Sequence, residues 1–184
     1  MAALAPLDRL PAFDREGRLR VVIEASAATR TKLKYEPRLR AFELHLMLPV
    51  GSAFPTDFGF IPSTRGGDGD PLDALVFADE PLAPGIVVPC HVLGVIEAEQ
   101  TSAANAKPVR NDRFIAVAAA SHRFGHWRSL EDVPGKVLCE LEAFFVSYNA
   151  QRGVKFTPLG RKDAAAARRA LKRSAGAGSS RRKR

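Results

Sequence analysis

Asp68-Gly69-Asp70-Pro71-Leu72-Asp73-Ala74-Leu75-Val76-Phe77 is the stretch of sequence that decides the fold of this chain. It places three carboxylates within six residues and then runs into a short apolar segment typical of a buried strand. Gly69 allows a tight turn, and Pro71 fixes the neighbouring φ angle. Carboxylates this close repel one another unless a cation lies among them, and their oxygens are ligands that Mg²⁺ prefers. The stretch therefore indicates either a rigid cation-binding turn that leads into a strand, or a plain solvated acidic turn.

Short apolar runs separated by Gly and Pro surround this stretch, and they predict further strands. The predicted strands cover residues 20–24, 41–47, 73–77, 86–96 and 113–118. One helix is predicted after Pro134, with apolar residues at helical spacing as far as Tyr148 and an end at Arg152-Gly153. Short strands with tight turns favour a small barrel. The predicted fold class is α+β, mainly β.

The charge of the chain is unevenly distributed. The net charge is +8, but residues 161–184 hold ten Lys and Arg against one acid, which leaves 18 basic and 19 acidic residues elsewhere. We therefore predict a barrel domain over residues 1–160 and a basic, Ala/Gly/Ser-rich tail over residues 161–184. The tail is expected to be largely disordered, with a short helix over residues 162–173 at most.

Cysteine usage and hydropathy indicate the cellular location of the protein. Cys90 and Cys139 are the only cysteines, too few for a disulfide framework, so both are expected to be free thiols. Neither a signal peptide nor an apolar stretch long enough to span a bilayer is evident. A cytoplasmic protein without membrane contact is expected.

An ordered set of motifs extends across the chain. Glu24 closes an apolar run, Lys34-Tyr35-Glu36 follows, and the block from Pro55 to Pro62 leads to the acidic turn. This order closely resembles the soluble inorganic pyrophosphatases of family I over roughly residues 20 to 160. The resemblance implies a five-stranded OB-like barrel flanked by helices, and a homo-oligomer. It also implies Mg²⁺-dependent hydrolysis of diphosphate to two phosphates, with several metal ions bound.

The resemblance also implies roles for individual residues. Asp70 would be the general base beside a metal-bridging hydroxide, and Glu36 would shape the wall of the site. The implied substrate ligands are Lys34, Arg113 and Tyr148. The implied metal ligands are Asp68, Asp73, Glu24, Asp112 and Glu99. Tyr148 also continues the apolar stripe of the helix, so a purely structural role is an equal alternative.

Several positions depart from the family pattern. An Arg expected near Leu46 and a Lys expected at Asn149 are missing, and Arg152 or Lys155 could replace one of these cations. A Tyr of the family is Phe58, and Arg113 stands where the family usually carries a Lys. These differences remove charge and a hydroxyl from the expected substrate contacts.

Two of the implied metal ligands also depart from the family pattern. The Asp that usually follows the long strand is absent, and Glu99 is the expected substitute. Strand alternation favours Asn111 over Asp112 on the face of Arg113, whereas a bulge would bring in Asp112. We favour Asp112 because a metal prefers a charged ligand.

Two other functions compete with hydrolysis. A weakened domain of the same family could act as a phosphate or nucleic-acid binder through its basic tail, and residues 161–184 could contact anions non-specifically. Against nucleic-acid binding, the body of the chain is nearly neutral and its aromatic residues lie in apolar runs. A calcium loop of the EF-hand type is excluded because Asp68, Asp70 and Asp73 have the wrong spacing.

Overall fold

The computed structural model describes residues 5–102 and 105–180. Within these ranges it contains nine strands and two α-helices. The strands are β1 (Leu19–Ala25), β2 (Thr31–Glu36), β3 (Ala41–Met47), β4 (Asp57–Ile61), β5 (Leu72–Phe77), β6 (Val87–Ser102), β7 (Asn105–Arg110), β8 (Arg113–Ala118) and β9 (Val154–Asp163). The helices are α1 (Gly135–Ala150) and α2 (Ala164–Ser180). Neither of these two helices is long and apolar enough to cross a bilayer.

Five strands form a closed ring. Around it β1 pairs with β4, β4 with β5, β5 with β8, β8 with β6, and β6 again with β1. The β5–β8 pair is parallel and the other four are antiparallel. Outside the ring, β7 and β9 pair with β6, while β2 and β3 form a separate hairpin. The predicted α+β, mainly β fold with a five-stranded OB-like barrel and flanking helices is confirmed.

Strand β6 links the ring to its extensions. It pairs with β1 at its beginning, with β8 through its middle, and with both β7 and β9 along its second half. Gly94 lies at a register shift against β8, and a Cβ there would come within 2.5 Å of both Leu130 and the carbonyl oxygen of Lys162. Glycine at this position therefore allows the backbone to bend beneath its neighbours. The predicted strand over residues 86–96 is the first part of one long strand.

Helix α1 covers one end of the ring with an apolar face. Leu138, Leu141, Phe145 and Tyr148 follow one another at three- and four-residue spacing, and all are buried in a core that also holds Phe58 of β4. The helix follows Pro134, and Gly153 adopts a positive φ of 69° just beyond its end. Gly tolerates this left-handed conformation at no steric cost. This packing brings Tyr148 and Asn149, near the carboxyl end of α1, to the same concave surface as the acidic turn.

Helix α2 corrects the prediction for the tail. Residues 161–163 complete β9, and Asp163 Oδ1 accepts the Ala166 N–H at 2.7 Å as a helix cap. Ala167 and Leu171, one turn apart, are fully buried in a core cluster that they share with side chains of the ring strands. A domain boundary at residue 160 and a largely disordered segment from residue 161 are therefore wrong for residues 161–175. The run Arg181 to Arg184 lies outside the described residues.

Candidate active site

One cleft of about 790 Å³ collects most of the predicted site residues. Its acidic side chains are Asp8, Glu24, Asp68, Asp70 and Asp73. Its cationic side chains are Arg9, Lys32, Lys34, Arg65, Arg113 and Arg152. The amide side chains of Gln100, Asn111 and Asn149, together with Tyr148, lie at the same cleft. The ring, the β2–β3 hairpin and both helices thus contribute to a single concave surface.

Hydrogen bonds between its own residues fix the conformation of the acidic turn. The Gly66 N–H donates to the Asp70 carbonyl oxygen at 2.7 Å, and the Asp70 N–H donates to Asp68 Oδ1 at 3.1 Å. Gly69 has a φ of 93°, a conformation that an L side chain rarely adopts. Partial burial raises the pKa of Asp68, the Asp70 N–H partly offsets this, and the charge of Asp73 adds to the rise. The turn therefore presents concentrated negative charge on a rigid backbone.

The outer side of this turn is fixed by helix α2. Ser174 Oγ accepts the Arg65 N–H at 2.8 Å and donates to the Arg65 carbonyl oxygen at 2.9 Å. Ala175, the next residue of α2, lines the cleft. The carboxyl half of α2 is therefore part of the wall that supports the carboxylates.

Three ion pairs join carboxylates of the cleft to cations of the cleft. They are Lys34 Nζ–Asp70 Oδ2 at 3.0 Å, Arg113 Nη1–Asp73 Oδ2 at 2.8 Å and Lys32 Nζ–Glu24 Oε2 at 4.0 Å. Burial by itself would lower the pKa of Lys34, but the hydrogen bond and charge of Asp70 raise it above its usual value. The cleft therefore contains charges of both signs in direct contact.

Arg113 is the most enclosed of these cations, with 4% of its surface exposed. Its guanidinium lies 4.9 Å from the ring centre of Phe145 and 5.2 Å from that of Phe156. Nη1 also donates to the Asn111 side-chain oxygen and to the Asp112 carbonyl oxygen. These contacts hold a permanent positive charge at the start of β8, beside Asp73.

Glu24 is a buried carboxyl at the end of the apolar run of β1. Its Oε1 accepts the Tyr35 N–H at 3.3 Å. Burial raises the pKa of Glu24 to about 7, against the opposing attraction of Lys32. Near neutral pH Glu24 is therefore present in both its protonated and its charged form, and a bound cation would favour the charged form.

We expect Glu24→Gln to stabilise the protein at high pH. Between the ordinary Glu value and about pH 7, native Glu24 keeps a proton that the unfolded chain has lost, so wild-type stability falls as pH rises through this range. The amide avoids this cost, which is on the order of 3 kcal/mol above pH 7. Thermal unfolding of both proteins in EDTA should give melting temperatures that agree near pH 4 and diverge toward pH 8. A difference that does not change with pH would contradict the burial argument.

Three predicted residues lie away from the cleft lining. Glu36, the last residue of β2, turns back so that its Oε1 accepts the Arg38 N–H at 2.9 Å. Asp112 Oδ1 accepts from the Ala98 N–H at 3.0 Å and from Arg110 Nε at 2.7 Å. Glu99 is likewise absent from the lining, and its neighbour Gln100 takes the place that it was expected to fill. Glu36, Asp112 and Glu99 therefore lie outside the lining of the cleft, and their roles in the site stay predictions.

The remaining predicted residues meet at the cleft, and strand alternation explains the outcome beside Arg113. They are Glu24, Lys34, Asp68, Asp70, Asp73, Arg113 and Tyr148. Asn111 lines the cleft, as alternation along the strand suggested, and Asp112 is not among the lining residues. Tyr148 is buried in the core and also lines the cleft, where its hydroxyl accepts from Arg152 at 3.2 Å; its role as a substrate ligand stays a prediction. Of the two candidate replacement cations, Arg152 lines the cleft and Lys155 does not.

Some cleft residues were missed by sequence reasoning. Lys32 stands two residues before Lys34 on β2, and this period-two spacing could have identified it. His45 lies close to where the family Arg is missing, and burial together with the nearby Lys32 charge lowers its pKa. Arg65 precedes the acidic turn by three residues, but nothing in its sequence context indicated a cleft position.

Comparison with known proteins agrees with this geometry. The sequence model of the family described as inorganic pyrophosphatase matches residues 21–177. The inorganic pyrophosphatase of Thermus thermophilus is 38% identical over 153 residues, which are 83% of this chain and 84% of that protein. That of Nostoc sp. is 34% identical over 142 residues, 77% of this chain and 80% of the relative.

Solved structures give the same result. The crystal structure of the inorganic pyrophosphatase from Thermus thermophilus superimposes with a TM-score of 0.84 at 33% identity, covering 95% of this chain and 99% of that one. That of an inorganic pyrophosphatase from Neisseria gonorrhoeae gives 0.80 at 27% identity, covering 93% and 96%. Fold, cleft and sequence relatives therefore agree, and the chain belongs to the inorganic pyrophosphatases, the hydrolases that split pyrophosphate.

Proposed function

We propose that this protein hydrolyses pyrophosphate with Mg²⁺ as the activating ion, and that the cleft described above is where it does so. One observation carries the proposal: carboxylates suited to metal ions and cations suited to phosphates line the same concave surface. Pyrophosphate is a dense polyanion, so its hydrolysis requires neutralisation of charge, activation of water and stabilisation of the leaving phosphate. A cleft with ligands of both signs can meet all three requirements.

The donor set suits a hard divalent cation. Asp68, Asp73 and Glu24 supply carboxylate oxygens, the ligand type that Mg²⁺ prefers, and the rigid turn holds two of them close together. Among the described residues, no three acidic, His or Cys side chains already converge on one point, and Asp70 and Asp73 are each paired with a cation. Divalent ions bound here would neutralise substrate charge and lower the pKa of water.

The chain's own residues then have distinct tasks. Asp70 is an accessible carboxylate of the turn, with 62% of its side chain exposed, and it is the proposed acceptor of the proton from the attacking water. Lys34 and Arg113 bind phosphate oxygens, and the Tyr148 hydroxyl with Arg152 binds the other end of the substrate. Arg113, fixed between two rings, sets the position of the phosphate that it contacts.

The competing function gains no support. The described part of the basic segment forms the end of β9 and helix α2, which packs on the ring, so residues 161–175 are not a free nucleic-acid-binding tail. A homo-oligomer, a cytoplasmic location and anion binding by residues beyond the described part stay predictions.

We expect the metal requirement to be absolute. Phosphate release from pyrophosphate should stop when EDTA is added and return on titration with Mg²⁺, because the proposed reaction needs divalent ions to neutralise the substrate and to lower the pKa of water. Undiminished hydrolysis in EDTA would contradict the proposal.

Arg113→Lys should keep measurable turnover with a higher KM, because the charge is retained while the planar group held between the rings is lost.

A further inference from the structure

The whole excess charge of the chain lies in helix α2 and the four residues that follow it. Residues 164–184 contain eight Lys and Arg and no acidic residue. The other 20 Lys and Arg lie in residues 1–163 together with all 20 Asp and Glu, so the net charge of that part is zero. Positive charge concentrated along one helix is the electrostatic pattern of a surface that binds polyanions.

The packing of α2 turns this charge to one side of the helix. Ala167 and Leu171 are fully buried, whereas Arg169, Lys172 and Arg173 lie on the opposite side and are all exposed. Residues three and four apart are neighbours on the surface of a helix, so these three side chains form one continuous stripe. We call Arg169, Lys172 and Arg173 the basic face of α2.

The acidic residues close to α2 are occupied elsewhere. Arg161 pairs with Glu142 and Lys162 with Glu97, but among the described residues no ion pair includes a member of the basic face. Asp163, which immediately precedes α2, accepts a backbone N–H as the cap of the helix. The three charges of the basic face are therefore available to bind the phosphates of a ligand.

The chemistry of α2 favours the backbone of a nucleic-acid duplex as this ligand. Residues 164–184 contain no aromatic side chain, so they lack the stacking contacts that hold single strands. A helix that lies on a membrane inserts its apolar side, whereas Ala167 and Leu171 of α2 are already buried in the core. Contacts from Lys and Arg to phosphates need neither stacking nor insertion, and they carry no sequence information.

We infer that the basic face of α2 binds the phosphate backbone of double-stranded nucleic acid, independently of its sequence. Ser174 bonds the Arg65 backbone beside the acidic turn, and Ala175 lines the cleft, but no residue of the basic face does. A duplex on this face therefore leaves the cleft open. Synthesis of a nucleic-acid strand from nucleoside triphosphates releases one pyrophosphate for each nucleotide added, so this contact holds the enzyme where its substrate is produced.

The test measures binding of the full chain to a fluorescent DNA duplex of about 20 base pairs, by anisotropy in EDTA. We expect a dissociation constant of about 10⁻⁶ to 10⁻⁴ M at physiological salt, the range of sequence-independent binding. Three phosphate contacts should weaken binding at least about 40-fold between roughly 50 and 200 mM salt. Binding that does not change with salt would overturn the inference. So would tighter binding to the corresponding single strand or to vesicles that contain phosphatidylglycerol.

A triple variant locates the binding surface. Replacing Arg169, Lys172 and Arg173 together by Gln should remove most of the duplex binding and lower the slope of log affinity against log salt by about three. The kcat and KM for pyrophosphate should stay at wild-type values, because these residues lie outside the cleft lining. Duplex affinity equal to that of the wild type, in a variant that melts normally, would overturn the inference.

The matched control removes the same amount of charge from other surfaces. It replaces Arg38, Lys136 and Lys155 by Gln, three exposed cations outside both α2 and the cleft lining. This control should bind the duplex as the wild type does. An equal loss of affinity in both triple variants would show a general charge effect and sink the inference.

Truncation after Ser180 separates α2 from the four basic residues that follow it. The truncated chain should bind the duplex more weakly than the full chain, and the triple substitution at the basic face should then abolish the remaining binding. If truncation alone abolished binding, residues 181–184 and not the basic face of α2 would be the site, which would contradict the inference.

Discussion

Asp70→Asn should lower kcat for pyrophosphate by about 100- to 10,000-fold, the range expected when a positioned general base is lost. The amide keeps the shape of the side chain but cannot accept a proton at neutral pH. Because the Asp70 side chain is 62% exposed and its main hydrogen bonds use backbone atoms, the melting temperature should hardly change. Steady-state phosphate release and thermal unfolding of the purified variant give the two readouts.

Asp112→Asn provides the contrast for this prediction. Asp112 has the same chemistry and lies in the segment leading to β8, but its side chain bonds Ala98 and Arg110 rather than lining the cleft. Turnover should therefore stay close to wild type, with a modest loss of stability. Equal damage from both substitutions would show that Asp112 reaches the substrate or metal after all, and that the cleft has been assigned incorrectly.

Truncation after Asp163 should abolish cooperative folding. It removes α2, whose Ala167 and Leu171 are both 0% exposed and cover an apolar face of the ring. Shortening Leu171 alone to Ala should cost about 2 to 4 kcal/mol, since it deletes buried methyl groups and leaves a cavity. Loss of the whole helix also removes the Ser174 bonds to Arg65 beside the acidic turn. Circular dichroism melting of the truncated chain should show no sharp transition.

Truncation after Ser180 is the matched control. It removes the four basic residues 181–184 and leaves α2 in place. Melting temperature and turnover should match those of the full chain. If the chain that ends at Asp163 melted as sharply as the one that ends at Ser180, the packing of α2 would contribute little, and a separate basic tail from residue 161 would be the better description.

The sequence was most informative where several constraints coincided. Glu24, Lys34 and the acidic turn have a fixed order along the chain, and the structure brings them to one cleft. The apolar stripe of α1 followed from its spacing alone, because bulky residues recur on one helical face. In these places the local sequence pattern and the tertiary packing require the same residues, so the packing can be predicted from the pattern.

The prediction of a disordered tail was wrong because the net charge of residues 161–184 concealed a short buried stripe within them. The high positive charge of residues 161–184 suggested a solvated tail, but Ala167 and Leu171 form a narrow buried stripe between the Arg and Lys residues of α2. Small side chains such as Ala give little hydrophobic signal, even though they allow close packing. The Asp163 cap was visible in the sequence and could have signalled a stable helix.

Asp112 and Glu99, the expected metal ligands near Arg113, lie outside the cleft lining for a different reason. Asp112 and Glu99 were preferred because they carry charge, although the face of a strand on which a side chain lies is set by alternation and not by chemistry. The structure brings Asn111 and Gln100 to the cleft instead. The lining of the cleft therefore holds fewer carboxylates than the sequence suggested.

The most direct measurement is phosphate release by the purified full chain at neutral pH, with Mg²⁺ or EDTA, on pyrophosphate, ATP and a phosphate monoester. The account predicts rapid Mg²⁺-dependent release from pyrophosphate and little from the other two, since the carboxylates and cations of the cleft enclose a short, dense polyanion. No release from pyrophosphate at any Mg²⁺ concentration, by protein that melts cooperatively, would contradict it.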